Sequence, residues 1–273
     1  MSAALQLPAP TWFVGCGNMG GAILDGWRSG GLDLGSVTVI RPSGTPVEGT
    51  RTITSFADAG PAPKLVLLAF KPQKLDDIAP ELRRHLSAET VVVSMLAGVE
   101  AESLRLRFPG VRAIVRAMPN LPVRIGKGAV GLCSDSEDIA AKALVTGLMA
   151  TLGHAEWFDD ETKFQLAGHL TGAGPAFLFR FIDALAIAAE RLGLPFDQAQ
   201  RLALKMVEGA AALAAASDDD PETLARKVAS PGGTTEAGLA ILDADRALLD
   251  LVERTLDASR ARGLEMAAEA RGR

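Results

Sequence analysis

The segment Gly15-Cys-Gly-Asn-Met-Gly20 constrains the fold of this chain more than any other. It has the spacing G-x-G-x-x-G, directly follows the apolar triplet Trp12-Phe-Val14, and opens a helical stretch over residues 20–29. Strand, glycine turn and helix in that order make the first unit of a parallel sheet that binds a dinucleotide. Gly15 permits the tight turn, Gly17 lets a pyrophosphate approach the backbone, and Gly20 lets the helix lie close on the sheet. Cys16, Asn18 and Met19 belong to the same candidate cofactor turn. The structural alternative is a plain strand–turn–helix connection.

The alternation continues. Residues 37–40 read as a second strand, β-branched and ending at Arg41-Pro42. Residues 65–70 are a third, apolar on both faces and so central in a sheet covered by helices. Residues 76–86 read as helix, 90–94 as strand, 101–108 as helix, 112–116 as strand, and 129–133 as a later strand. This spacing predicts an α/β domain over residues 1–160, a Rossmann-type, doubly wound and mostly parallel sheet.

Ligands of such sheets lie beyond the carboxyl ends of the strands. Ala69, Phe70, Lys71 and Pro72 are therefore candidate cofactor contacts, although Pro72 serves equally well as a strand breaker. Ala97, Met118 and Asn120 are candidates by the same geometry, with Asn120 placed to meet a nicotinamide amide. The second strand ends Ile40-Arg41-Pro42-Ser43, without the acid that usually holds a ribose 2′-hydroxyl. Arg41 can pair with a 2′-phosphate and Ser43 can hydrogen-bond to it. The expected cofactor is NADPH, with NADH as the lesser alternative.

From about Asp159 the pattern becomes all-helical. Pro175 sits where a first-turn proline belongs, just after the glycine turn Gly172-Ala-Gly174. Leu178, Ile182, Leu185, Ala189 and Leu192 then form an apolar stripe that Phe177 and Phe181 widen. So broad a stripe requires burial nearly all round. The helices that follow, over residues 197–216, 221–228, 236–242 and 246–270, are too few to supply it. Residues 161–273 are thus expected to form an interleaved helical dimerisation domain.

Ser230-Pro-Gly-Gly-Thr-Thr235 interrupts these helices. Thr234 or Thr235 falls at the N-cap of the next one, where backbone N–H groups, a helix dipole and two hydroxyls converge as a receptor for a small carboxylate.

Composition narrows the partners. With 48% apolar and 22% charged residues the chain is globular, and a net charge of −5 argues against nucleic acid or an anionic membrane. No apolar run reads as a membrane span, and the first ten residues lack a leader's basic start and apolar stretch. Cys16 and Cys133 show no close pairing, which fits a reducing cytoplasm. His85, His154 and His169 are isolated, so no metal site is expected.

Four segments resemble the pyrroline-5-carboxylate reductase family, the last enzymes of proline biosynthesis. They are residues 13–20, Ala69-Phe-Lys-Pro-Gln73, Arg116-Ala-Met-Pro-Asn120, and residues 171–177 taken with 230–243. The resemblance runs from about Thr11 to Leu264. It implies a Rossmann domain followed by an all-helical dimerisation domain, a homodimer or a ring of dimers, and reduction of a cyclic imine by NAD(P)H. It makes Thr235 the catalytic hydroxyl beside the substrate nitrogen. Gly232, Gly233 and Thr234, with Ser230, would hold the substrate carboxylate. Glu161 matches a family acid near the ring nitrogen, although a helix-start carboxylate is the plainer reading.

The chain departs from the family pattern at several positions. Ala173 replaces a Ser, Phe177 replaces a Tyr, Leu121 stands where Thr is commoner and Lys227 where Asn is common. A reductase of a related cyclic imino acid is one alternative. A β-hydroxyacid-type dehydrogenase would need a Lys on an inter-domain helix, and Lys163 and Lys205 lie in no glycine loop. A non-catalytic nucleotide-binding regulator would have no need of Thr235, Gly232 and Gly233.

Overall fold

Four short runs, residues 11–14, 37–40, 65–68 and 91–94, are buried on both faces and lie side by side in an eight-stranded sheet. The computed structural model describes residues 5–271, so the outer ends of the two predicted domains, residues 1 and 273, lie outside the described residues. In chain order the strands are β1 (Thr11–Val14), β2 (Val37–Ile40), β3 (Arg51–Ile53), β4 (Leu65–Leu68), β5 (Val91–Ser94), β6 (Ala113–Met118), β7 (Gly128–Ser134) and β8 (Gly153–Trp157). Their spatial order is β3-β2-β1-β4-β5-β6-β7-β8. All neighbours run parallel except β6 and β7, which pair antiparallel with Arg116 opposite Cys133.

Alternate side chains feed two cores. Phe13, Leu65, Leu67, Val91 and Val93 meet helices α1 (Asn18–Ser29) and α4 (Ile139–Ala150) on one face. Trp12, Val14, Val66, Leu68 and Val92 meet α2 (Leu75–Leu82) and α3 (Ala101–Arg107) on the other. Each leucine buried in this way contributes about 1.5–3 kcal/mol relative to exposure.

The sequence reading missed three elements. β3 is three residues long with no apolar run, and β8 alternates half-buried and exposed positions as an outer strand does. Helix α4 is apolar over most of its surface and so shows no stripe. Asp138 starts it by accepting the Ala141 N–H at 2.9 Å.

The remaining helices are α5 (Glu161–Arg191), α6 (Phe196–Ala216), α7 (Pro221–Val228), α8 (Thr234–Asp243) and α9 (Ala247–Arg271). The described residues divide into two compact units, residues 5–173 with 260–271, and residues 174–259. Within the second, Ile182, Leu185, Ala186 and Ala189 of α5 pack on Ala199 and Ala203 of α6.

Two expectations about α5 need correction. Gly172-Ala-Gly174 is not a turn and Pro175 does not begin a helix; α5 runs unbroken for 31 residues through both. By length and composition α5 is also apolar enough to cross a membrane, contrary to the sequence reading. Its apolar side chains are largely uncovered in the single chain, with Leu170 and Phe179 each 59% exposed.

Candidate cofactor and substrate sites

Strand order around β1 sets the first site. The crossovers run toward β2 on one side and toward β4 on the other, which opens a crevice at the carboxyl ends of β1 and β4. There the chain turns at Gly15, whose φ of +79° is left-handed. A Cβ at Gly15 would fall 2.7 Å from the Ala69 carbonyl oxygen, so only glycine brings the two strand ends together here.

A cavity of about 610 Å³ occupies the crevice. Residues 15–20, Arg41, Ser43, residues 69–72 and Ala97 all line it, and the structure adds Pro42 and Met95. Met95 gave no sequence signal beyond its place just after β5. A dinucleotide phosphate fits this site. Gly17 is the N-cap of α1, and a Cβ on it would meet no protein atom within 4 Å. The α1 N-terminus therefore opens on the cavity and offers its N–H groups to an anion. No acid lies at the β2 end of the cavity, where Arg41 supplies a positive charge. Burial pushes the Cys16 thiol above its ordinary value, against a smaller lowering by Arg41, so this cysteine is a poor nucleophile at neutral pH.

Met118 and Asn120 do not line the cavity, and the physical reason is clear. Asn120 is buried, and both ends of its amide have partners within the fold. Its Oδ1 accepts the Ala129 N–H at 2.9 Å, and its Nδ2 donates to the Thr171 carbonyl at 3.2 Å. That carbonyl is the one Pro175, four residues on, cannot reach for want of an N–H. Asn120 thus supplies the Thr171 carbonyl with the donor that Pro175 lacks, and its oxygen and one of its two amide protons are spent inside the fold rather than in the crevice. Met118 packs on α5 one rung earlier, where a Cβ on Gly168 would collide with its Sδ.

Glu161 is also committed. Its Oε1 accepts the Ala101 N–H at the start of α3 at 2.7 Å and lies 3.3 Å from Arg116 Nη1. Arg116 is only 2% exposed, and its guanidinium stands over the Phe164 ring at 4.7 Å. Nη1 pairs electrostatically with Glu161 but makes no aligned hydrogen bond. Loss of Glu161 would leave a buried, uncompensated cation. In this structure Glu161 joins β6, α3 and α5 through Oε1.

The second site is the 230–235 loop. The cap expected at Thr234 or Thr235 lies one residue earlier: Gly233 is the N-cap of α8, and both threonines sit in the first turn. Gly232 adopts a φ of +69°. Its N–H donates to Glu236 Oε2 at 2.7 Å, and the Gly233 N–H donates to the Ser230 carbonyl at 2.9 Å. The loop already holds a carboxylate, but one supplied by its own helix. The Thr235 side chain is half-buried, whereas Ser230 and Thr234 are exposed. Among the described residues no group of His, Cys, Asp and Glu is arranged to hold a metal ion.

A crevice with a glycine turn, a helix N-terminus and a basic end, built on a doubly wound sheet, defines an NADP-dependent oxidoreductase. Comparison with known proteins agrees. Residues 12–98 match the family model "NADP oxidoreductase coenzyme F420-dependent", and residues 161–266 match "Pyrroline-5-carboxylate reductase dimerisation". The chain is 34% identical to the pyrroline-5-carboxylate reductase of Pseudomonas aeruginosa, over 94% of this chain and 96% of that protein. It is similar to the solved structure of a pyrroline-5-carboxylate reductase from Coxiella burnetii. That match has a TM-score of 0.88 and 31% identity and covers 95% of this chain and 98% of the other. The Plasmodium falciparum pyrroline carboxylate reductase, solved with NADP bound, shares the fold at a TM-score of 0.82 and 22% identity, over 95% and 98% of the two chains. The chain belongs to the pyrroline-5-carboxylate reductase family, and its helical half is an oligomerisation domain.

Proposed function

We propose that this chain reduces the cyclic imine of 1-pyrroline-5-carboxylate to L-proline with NADPH, and that Thr235 is its catalytic hydroxyl. The observation that carries the reading is the presence in one chain of a phosphate-binding crevice with Arg41 at its ribose end and a carboxylate-holding loop at residues 230–235. When bound in the crevice, NADPH supplies the hydride.

Reduction adds a hydride from NADPH to the imine carbon and a proton, taken from solvent, to the nitrogen, leaving NADP+. The Thr235 hydroxyl, in the first turn of α8, donates a hydrogen bond to that nitrogen and makes the carbon more electrophilic. A threonine is too weak an acid for full proton transfer, so its contribution is polarisation and placement. The substrate carboxylate takes over the Gly232 N–H from Glu236, with the hydroxyls of Ser230 and Thr234 beside it. Gly233 shapes the loop, since its N–H stays with the Ser230 carbonyl. Holding the ring in one orientation is the larger effect; orientation alone is worth about 7–11 kcal/mol in well-placed reactions. Glu161, tied to Arg116 and Ala101, contributes by fixing the start of α5.

A homodimer, closed through the apolar faces of α5 and the helices after it and extended to a ring of dimers, is part of the same reading. So is a cytoplasmic location, where free thiols such as Cys16 and Cys133 persist. Consumption of NADPH with 1-pyrroline-5-carboxylate, compared between the native chain and Thr235→Ala, tests the proposal. The variant is expected to lose about tenfold to a hundredfold in kcat while binding NADPH normally. An unchanged kcat removes Thr235 from the chemistry, and an inactive native chain removes the substrate.

A further inference from the structure

Ser43 lines the ribose end of the crevice, whereas Thr45 stands behind it and does not reach the cavity. The turn between them is closed by the Gly44 N–H donating to the Arg41 carbonyl at 3.1 Å, with Gly44 at a φ of +62°. It folds Thr45 back on Ser43. The Thr45 N–H donates to Ser43 Oγ at 3.3 Å, and the Thr45 hydroxyl donates to the same oxygen at 3.1 Å.

A serine hydroxyl has two lone pairs and one proton. With both lone pairs filled by Thr45, Ser43 is left with its proton alone and must act as a donor. Arg41 likewise has donors and no acceptor. The two polar side chains at this end of the crevice, Arg41 and Ser43, therefore offer only donors. A 2′-phosphate, which is an acceptor throughout and charged, satisfies both side chains. A ribose 2′-hydroxyl brings a proton for which neither Ser43 nor Arg41 has an acceptor, and a polar group left unpaired on binding costs affinity.

We propose that Thr45 is a positioning residue for cofactor specificity: by saturating Ser43 as an acceptor it makes the site discriminate against the 2′-hydroxyl of NAD. The inference rests on the NADPH reading above. It locates part of the discrimination in a residue that need not touch the cofactor.

The test is calorimetric binding of NADP+ and NAD+ to the full-length native protein and to Thr45→Val, Thr45→Ser and Arg41→Ala. Thr45→Val frees a lone pair on Ser43. It is expected to narrow the ratio of NADP+ to NAD+ affinity by about three- to tenfold, the size of one neutral hydrogen bond. Thr45→Ser keeps the hydroxyl and is expected to restore the native ratio. A ratio unchanged in Thr45→Val, or equally narrowed in Thr45→Ser, overturns the role of Thr45. Arg41→Ala separates the two layers of the argument. If it collapses the ratio while Thr45→Val does not, Thr45 alone is wrong. If Arg41→Ala leaves the ratio untouched, the 2′-phosphate site falls and the inference falls with it.

Discussion

Leu67 and Phe179 are both large apolar side chains on regular elements, yet their surroundings are opposite. Leu67, in β4, has no exposed surface, with partners from its own chain on every side; Phe179, in α5, is 59% exposed. The sheet half completes its core within one chain, as two layers of helices cover both faces. The helical half spreads apolar residues over long helices, and beyond Pro175 its described residues bury a small alanine-rich seam between α5 and α6. Exposure on this scale marks an interface, in agreement with the dimerisation family that this half matches. Similar hydrophobicity thus has two destinations: one closes a fold and the other closes an assembly.

The sharpest test of this contrast is a pair of truncations. On a solvent-facing helix Phe179→Ala would cost no more than about 0.5 kcal/mol. Covered by a second copy, it is expected to cost about 3–5 kcal/mol and to shift the mass measured by light scattering toward the monomer. Leu67→Ala is expected to cost about 2–5 kcal/mol in urea unfolding and to leave the assembled mass unchanged. A Phe179→Ala protein with native mass and stability would end the comparison.

A smaller effect is expected at the join between sheet and helix. Asn120→Leu leaves the Ala129 N–H and the Thr171 carbonyl without their partner, at a cost of about 1–3 kcal/mol. Because Asn120 does not line the crevice, NADP+ affinity measured by calorimetry should stay native. A loss of affinity without a loss of stability would return Asn120 to the cofactor.

The smallest effect concerns His169 of α5, whose ring packs so closely on α9 that a Cβ on Gly263 would collide with it. Burial holds its pKa below the ordinary 6.5, and the charge of Arg260 adds to the lowering. The folded state thus favours the neutral ring. The associated stability is fully present above pH 6.5 and declines as the pH falls through 6.5 toward the lower folded value. Urea midpoints should fall less steeply between neutral and mildly acidic pH in His169→Gln than in the native protein. Equal slopes would show that His169 does not report on the packing of α5 and α9.

The legibility of the sequence follows the same division. The glycine turn and the strand ends around it were readable because backbone geometry dictates residue type there: Gly15 must adopt a positive φ and lie against Ala69. Arg41 and Ser43 were readable from where the second strand stops. β3 and β8 were not, because outer strands need no apolar run. The α8 cap was misplaced by one residue because Gly233 caps without a side chain, and two adjacent threonines offered a more obvious candidate. Pro175 misled for a related reason. Glycine followed by proline reads as a helix start, and the donor that replaces the missing N–H comes from 51 residues before Thr171, where no local pattern could show it. Glu161 was legible as a helix-start acid, but its partners Arg116 and Ala101 come from distant parts of the chain.

That repair at Thr171 ties the genetics of two positions together. A proline inside a helix is ordinarily a defect to be tolerated, but here its missing proton donor leaves an attachment point that Asn120 fills. Replacing Pro175 by alanine would return an N–H to the ladder, where it would share the Thr171 carbonyl with the asparagine. Changes at residues 120 and 175 should therefore be non-additive, and a drifting sequence could lose the pair together more easily than either residue alone.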